Sequence, residues 1–463
     1  MEMNPQTKQA YQLLHEGTLA LARAERQGMR VDVEYCERKQ NHLTRSMSRL
    51  EGKFLESDLG LEWRKLYGQA TNINSDSQLG RILYSIRGLT PPKSTATGKG
   101  STDEESLSQL PVPELKLLLQ MRKLRKLRDT YLDGFYKEQV DGVLHPYFNL
   151  HTVQTFRSSS DRPNFQNIPK RDKDAMEICR RALFPRKGHQ LVEVDYSGIE
   201  VRIAATYHKD PTMLKYILDP TTDMHGDMAK QIFLLDEMDK KIPAHKTLRN
   251  AAKNGFVFPQ FYGDYYINCA ENLACRWGHL SKKKWKPGQG MEMPEGHLSD
   301  WMIAHGIKSF DQFVDHIKQI EDHFWNVRFR VYQKWKEKWL KAYHKKGYFD
   351  MHTGFRCCGV MGKNDAINYP VQGAAFHCLL WSFVELDRQI FSKGMNTRLI
   401  GQIHDAIVLD MDPAEKEEVF GMLRKVMCED LPKAWTWINV PLDIEADIGD
   451  VDASWADIKP VDI

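Results

Sequence analysis

The chain is short of the features that sort a sequence quickly. Only 8 of its 463 residues are cysteine. That is too sparse for a disulfide scaffold and fits a reducing compartment. No run approaches the roughly 18 apolar residues of a membrane span. The opening MEMNPQTKQAYQ has no apolar secretory core. No repeat with a period of about 20–50 residues is present, which excludes solenoids and propellers. A formal net charge of +3 gives no bulk field that would announce a partner. What is present is a hydrophobic content of 41%, which excludes wholesale disorder. The length allows about three domains, or one large lobed enzyme.

The distribution of charge says more than its sum. Lys116 to Arg128 reads KLLLQMRKLRKLR, with six basic residues and no acid. Lys282, Lys283, Lys284 and Lys286 surround Trp285, and Lys334 to Lys346 is basic with two tryptophans and a tyrosine. Basic stripes interleaved with aromatics suit a polyanion that carries stackable bases. Each stripe taken alone is equally well a solvated helix face.

Periodicity predicts helices over 6–56, broken near Gly28–Asp32, and over Leu107–Tyr136, Pro211–Phe261 and Ser309–His344. Strands are few: LVEVD at 191–195, and two apolar strands from Leu399 to Met411 that meet at His404-Asp405. This pattern predicts an α+β fold with a small antiparallel sheet and large helical lobes.

Three constellations carry chemistry. Asp195 ends an apolar strand, and Asp405 sits in another with no sequence neighbour to pair it. Buried unpaired carboxylates are costly, and divalent cations are one remedy. Two such aspartates on adjacent strands can hold two cations about 3.5–4 Å apart. The plain alternative is that each caps a strand end. The third constellation is Arg249-x3-Lys253 with Phe258, Tyr262 and Gly263 following. Two cations on one helix face ahead of aromatics suit a triphosphate beneath a stacked base. Alone, the pair is as readily a surface face.

Their order changes the odds. DYSGIEVR, then R-x3-K with a following YG, then QIHD, resembles motifs A, B and C of the family A DNA polymerases, the bacterial DNA polymerase I type. NINSDSQLG, STATGKGSTD and MRKLRKLRDTYLDG resemble that family's thumb. TFRSSSDRPNFQNIP resembles its approach to the palm, TDMHGDMA the start of its fingers, and INYPVQGAA its palm helix. The resemblance runs from about Leu19 to Trp455.

It implies a right-hand polymerase with a small antiparallel palm sheet and helical thumb and fingers. Residues 1–50 lead into the palm, 51–145 form the thumb, and 146–205 carry palm and motif A. Residues 206–345 form the fingers with motif B, and 346–463 the palm with motif C. The implied activity is template-directed addition of dNTPs to a primer 3′-hydroxyl. Asp195, Asp405 and the carbonyl of Tyr196 would hold two Mg²⁺, with Mn²⁺ as a substitute. Arg249, Lys253 and His225 would grip the phosphates, with Lys253 counted among the catalytic groups. Glu200 and Phe258 would exclude a ribose 2′-hydroxyl, and Tyr262 would stack near the templating base. Arg157, Asn368, Gln372 and His404 would contact primer–template DNA, the first three by testing the minor groove. Arg122, Lys126 and their basic neighbours would hold the duplex backbone. The resemblance further implies a monomer in the cytoplasm of a bacterium or a phage-infected host. Partners are primer–template DNA, dNTPs and a separate exonuclease or processivity factor. It begins so near residue 1 that no exonuclease domain is expected within the chain. Its rivals are a single-subunit RNA polymerase, a catalytically weak DNA-binding relative and a two-metal nuclease.

The departures from the family pattern are specific. Ala406 stands where a glutamate usually follows the motif C aspartate, and Glu193, on the face of Asp195, is a candidate replacement. Asn364 replaces an arginine, Phe156 a glycine and Gly198 a glutamine. The interval from Lys253 to Tyr262 is one residue longer than usual. An extra residue turns a helix face by about 100°, so a π-bulge or kink is predicted near Asn254–Pro259. Residues 264–345 exceed a minimal fingers region.

Overall fold

The computed structural model describes residues 5–463 apart from Ala96, Arg171, Glu295 and His404, with only the backbone at residues 5 and 6. Its centre is a five-stranded antiparallel sheet. The strands are β1 (Gln190–Tyr196), β2 (Arg398–Ile403), β3 (Ala406–Met411), β4 (Ile444–Ile448) and β5 (Lys459–Val461), in spatial order β2-β3-β1-β4-β5. The fold is α+β, as the sparse strands between helical blocks predict.

Alternation along β1 gives the sheet two chemically distinct faces. Val192, Val194 and Tyr196 point one way and are buried. Each side chain sealed in this manner contributes about 1.5–3 kcal/mol. The Tyr196 hydroxyl meets Ser382 at 2.8 Å on the long helix that backs this face. Leu191, Glu193 and Asp195 point the other way. Register pairs Asp195 with Ala406 on β3 and with Glu445 on β4, and pairs Glu193 with Val408 and Asp447. Directly opposed residues share a face, so three acids lie beside Asp195 and Ala406 on the open side of the sheet.

Five helices organise the rest: α1 (Val33–Leu55), α2 (Leu115–Lys126), α3 (Met224–Phe233), α4 (Pro243–Ala252) and α5 (Lys363–Ser392). α5 is apolar nearly all round and buried for most of its length, as a central helix must be. Side chains form three apolar cores. One gathers the sheet, α5 and the N-terminal helices. A second runs from Ala205 to Tyr332 and includes α3 and α4. A third joins Phe54, Trp63 and Leu83 to the first half of α2. No helix among the described residues is long and apolar enough to cross a membrane.

Three predicted helices are broken. Pro211–Phe261 is divided into Pro211–Leu218, Met224–Phe233 and a segment that begins at Pro243. Leu107–Tyr136 is interrupted after Ser108 and resumes at Leu115, because Pro111 and Pro113 lack the N–H and disfavour helical geometry before them. The helix predicted over Ser309–His344 pauses at Phe329, whose φ/ψ of −115°/45° is not helical.

Candidate active site

Asp195 and Asp405 meet at the end of the sheet. The Tyr196 amide donates to the Asp405 carbonyl at 3.4 Å across the β1–β3 junction. Asp195 Oδ1 is buried and has no hydrogen-bond partner. Burial, and then the neighbouring charge of Asp405, push the Asp195 carboxyl up to about 7, against the pull of Lys170. The Tyr196 side chain is sealed in the core, so only its backbone faces this junction. His404 lies outside the described residues.

Glu193, the candidate replacement for the missing glutamate, is committed elsewhere. It is only 2% exposed and accepts from Arg180 Nη1 at 2.8 Å, Lys170 Nζ at 2.7 Å and the Trp455 indole at 3.0 Å. Burial alone would raise its pKa, but Arg180 and Lys170 outweigh it and hold the carboxyl below the usual range. The acid that does face Asp195 is Glu445, held by the Ser197 hydroxyl at 2.9 Å. Sequence reasoning passed over it, although I-E-A-D-I from 444 to 448 alternates as a half-exposed strand should.

The motif B segment carries the predicted bulge. α4 begins with Pro243 at its first turn, where no donor is lost. After Ala252 the helix widens into a π-turn over Lys253–Val257, with the Phe258 amide reaching back to the Lys253 carbonyl. The wide turn absorbs the additional residue and delivers Pro259 to the start of a fresh short helix, Phe258–Phe261. As a result Val257 is fully buried. Phe258 faces outward, with its ring 5.4 Å from Lys253 Nζ and 5.7 Å from the His225 ring. His225 sits in the first turn of α3. Burial, then Lys253 and Arg249, lower its pKa to about 4, so it is neutral near pH 7. Arg249 makes a bidentate pair with Asp223 at 2.7 and 2.9 Å, and Lys240 joins the same carboxylate at 3.0 Å. Neither Asp223 nor Lys240 was singled out from the sequence. Asp223 also caps α3 by accepting from the Gly226 amide, which is the signal that marks it.

Glu200 ties the two constellations together. Gly198 adopts φ/ψ of 61°/41° and turns the chain from β1 into the helix Ile199–His208. That left-handed geometry suits glycine and strains the glutamine usual in the family. Glu200 then accepts from Arg157 at 2.9 Å and from the Tyr262 hydroxyl. Burial and Glu200 together raise the Tyr262 phenol strongly. Asn368 on α5 donates to the Tyr262 carbonyl at 3.1 Å, and Gln372 lies one turn further along. Gly263, at φ 89°, has the Asn364 side chain so close that any Cβ would collide with it. The Asn364 departure therefore packs against the end of motif B. Phe156, at φ 58°, adopts a left-handed backbone state that is strained for a phenylalanine, and its ring packs 4.9 Å from Phe355.

The basic residues from Arg122 to Arg128, expected to hold the duplex backbone, are mostly paired within the molecule. Arg122 bonds Asp76 at 2.7 Å and the Thr102 carbonyl at 2.8 Å. Lys123 pairs with Asp172 at 2.6 Å, Arg125 bonds Asn74, and Arg128 pairs with Asp129 at 2.6 Å. Among the described residues, Lys126 alone of these five has no intramolecular partner. It lines a cavity of about 280 Å³ with Asn164 and Asn167.

Residues 34–285 and 303–457 match the model of DNA polymerase family A. The chain belongs to DNA polymerase family A. Relatives within family A include the thermostable DNA polymerase I of Thermus filiformis, 29% identical over 95% of this chain and 47% of that protein. The DNA polymerase I of Geobacillus stearothermophilus is 29% identical over 95% of this chain and 45% of its own length. The chain thus spans about half the length of these relatives. A solved structure, the POL domain of Pol1 from M. smegmatis in complex with DNA primer-template and dNTP, shares the fold. Its TM-score is 0.72 at 23% identity, over 96% of this chain and 70% of that one. The family match breaks between 286 and 302.

Proposed function

We propose that the chain is a template-directed DNA polymerase that joins dNTPs to a primer 3′-hydroxyl. In this reading the core around the sheet and α5 is the palm, the core carrying α3 and α4 the fingers, and the core under α2 the thumb. One observation carries the proposal. Glu200, five residues after Asp195, bonds Tyr262 nine residues after Lys253. The carboxylate pair and the cationic helix therefore serve one site.

A buried carboxylate oxygen without a partner, beside a second carboxylate, suits a hard divalent cation. Among the described residues no cluster of three or more His, Cys, Asp or Glu side chains is arranged for a metal. This fits Mg²⁺, which takes a few carboxylates and completes its shell with substrate phosphates. Asp195, Asp405 and the Tyr196 carbonyl would hold two such ions, which supply Lewis-acid activation of the primer hydroxyl and charge neutralisation at the phosphates.

The remaining work falls to the chain's own groups. Arg249, Lys253 and Lys240 gather positive charge for a triphosphate, and the neutral His225 donates a hydrogen bond there. Lys253, held over the Phe258 ring, offers a proton to the departing pyrophosphate. Arg157 and Tyr262 fix Glu200 from two sides, so its carboxylate cannot swing aside for a ribose 2′-hydroxyl. This favours a DNA polymerase over the single-subunit RNA polymerase reading. Asn368 and Gln372 test pair geometry from α5, and the enzyme works as a monomer on primer–template DNA. Primer extension on a defined template, with dNTPs against rNTPs and with Asp195→Ala and Asp405→Ala as controls, tests the proposal. Extension with dNTPs alone, lost in both variants, supports it. Extension by either variant, or degradation without dNTPs, refutes it.

A further inference from the structure

Of the three basic runs in the sequence, the structure separates the first two. The run on α2 is largely tied down. The run around Trp285 is not. Lys282 pairs with Glu271 at 2.5 Å, but Lys283, Lys284 and Lys286 are exposed and have no intramolecular partner among the described residues. Lys308 is exposed in the same way and is brought alongside them. Trp285 donates to the Lys308 carbonyl at 2.9 Å and Phe310 to the Lys283 carbonyl at 3.1 Å, with Lys284 opposite Ser309.

This edge is rigidly mounted. Trp285 is 3% exposed and packs 5.8 Å from Phe313, and its indole donates to the Ser281 carbonyl at 2.9 Å. Leu298 and Met302, from the segment the family match omits, are buried in the same core. The acids nearby leave the lysines free. Asp300 accepts from the Gly288 and His297 amides at 2.9 Å each, while Glu292 and Asp311 stand exposed. With its tryptophan buried, the edge offers no platform for stacked bases. Four exposed ammonium groups on one backbone-held edge suit a phosphate backbone, bound without regard to sequence.

We propose that Lys283, Lys284, Lys286 and Lys308 form a second nucleic-acid contact that holds the backbone of the unpaired template strand ahead of the active site. The inference rests on the polymerase reading. The template is the chosen strand because these lysines are anchored through Trp285 in the core that also holds the motif B segment by Leu248, Phe256 and Phe261, one residue before Tyr262.

The test is binding of the whole chain to labelled primer–template across a series of NaCl concentrations. One substrate has a long unpaired template overhang, one has blunt ends, and one carries an unpaired flap on the other strand. Each phosphate contact on a single strand contributes about 0.7 to the slope of log Kd against log salt. The triple variant Lys283→Ala, Lys284→Ala, Lys286→Ala is expected to lower the overhang slope by about 2, and adding Lys308→Ala to lower it by almost 3. Blunt-duplex binding stays unchanged, and Lys282→Ala, which removes a cation already paired, alters nothing. An unchanged overhang slope overturns the proposal. So does an equal fall on blunt duplex, or a fall confined to the flap substrate. If the wild-type chain extends no primer, the polymerase reading fails, yet the overhang measurement still reports on the lysines.

Discussion

Glu193 and Asp195 stand two residues apart on one strand, on one face, and meet opposite fates. Glu193 is buried with a guanidinium, an ammonium and an indole arranged around it. Asp195 is half-buried, with its sealed oxygen bare and a second carboxylate for company. The fold satisfies the first and leaves the second waiting. Under the proposed function, the charge that the protein neutralises for itself is architecture, and the one it leaves bare is kept for a ligand. Orphaned atoms alone do not make the distinction, since His208 and His377 also bury an unpartnered nitrogen. Both are neutral imidazoles set against aromatic rings, and neither accumulates charge.

The sharpest way to break this contrast is Asp195→Asn. It is expected to lower primer extension by about a thousandfold or more, corresponding to several kcal/mol of lost transition-state stabilisation. It should also stabilise the metal-free protein at pH 8. A carboxyl whose folded pKa lies near 7, against an ordinary 3.8, costs stability progressively as pH rises between those values. Melting in EDTA should show the gain at pH 8 and its disappearance near pH 4. A variant that is less stable at pH 8 would contradict the reading.

Glu193→Ala should do the reverse. It strands Arg180, which is 3% exposed, and removing one member of a buried pair costs about 3–5 kcal/mol. Urea unfolding should register that loss, while the folded fraction keeps turnover within a few-fold of the wild type. An unaltered urea midpoint would show that the pair is dispensable.

Asp223 tests the middle ground, where a satisfied pair occupies a functional position. Arg249→Ala is expected to raise the dNTP KM by about 10–100-fold, the range of one charged hydrogen bond. Asp223→Asn preserves the cap on α3 but frees Arg249 and Lys240. It should therefore lower KM modestly, with kcat little changed. A raised KM would mean that Asp223 orients the cations rather than occupying them.

The smallest effect per residue concerns the buried histidines. His208 and His377 are held near 3, and the half-buried His225 near 4, chiefly by burial. Depressed values mean that the unfolded chain takes up protons first as pH falls below about 6.5. Urea midpoints should decline between pH 6.5 and 4.5, and the decline should be shallower in His377→Gln.

Much of this was legible in the sequence. LVEVD and QIHD declared themselves as strands ending in acids, because alternation and apolar runs are local signals. The π-turn was predictable because one additional residue and a proline leave a helix little alternative. Tertiary commitments were not legible. Nothing local to KLLLQMRKLRKLR says that Arg122 reaches back to Asp76, or that Arg125 finds Asn74. Nor does Glu193 announce Arg180, thirteen residues earlier on a separate helix. Glu445 was missed because its relation to Asp195 exists only through β-sheet register, across 250 residues of chain.

The wide turn from Lys253 to Val257 has a consequence for how such proteins are found. A pattern that demands a fixed interval between the lysine and the tyrosine skips this chain. A local widening of the coil can store a surplus residue inside a helix, so such a site is better sought by angular phase than by residue count.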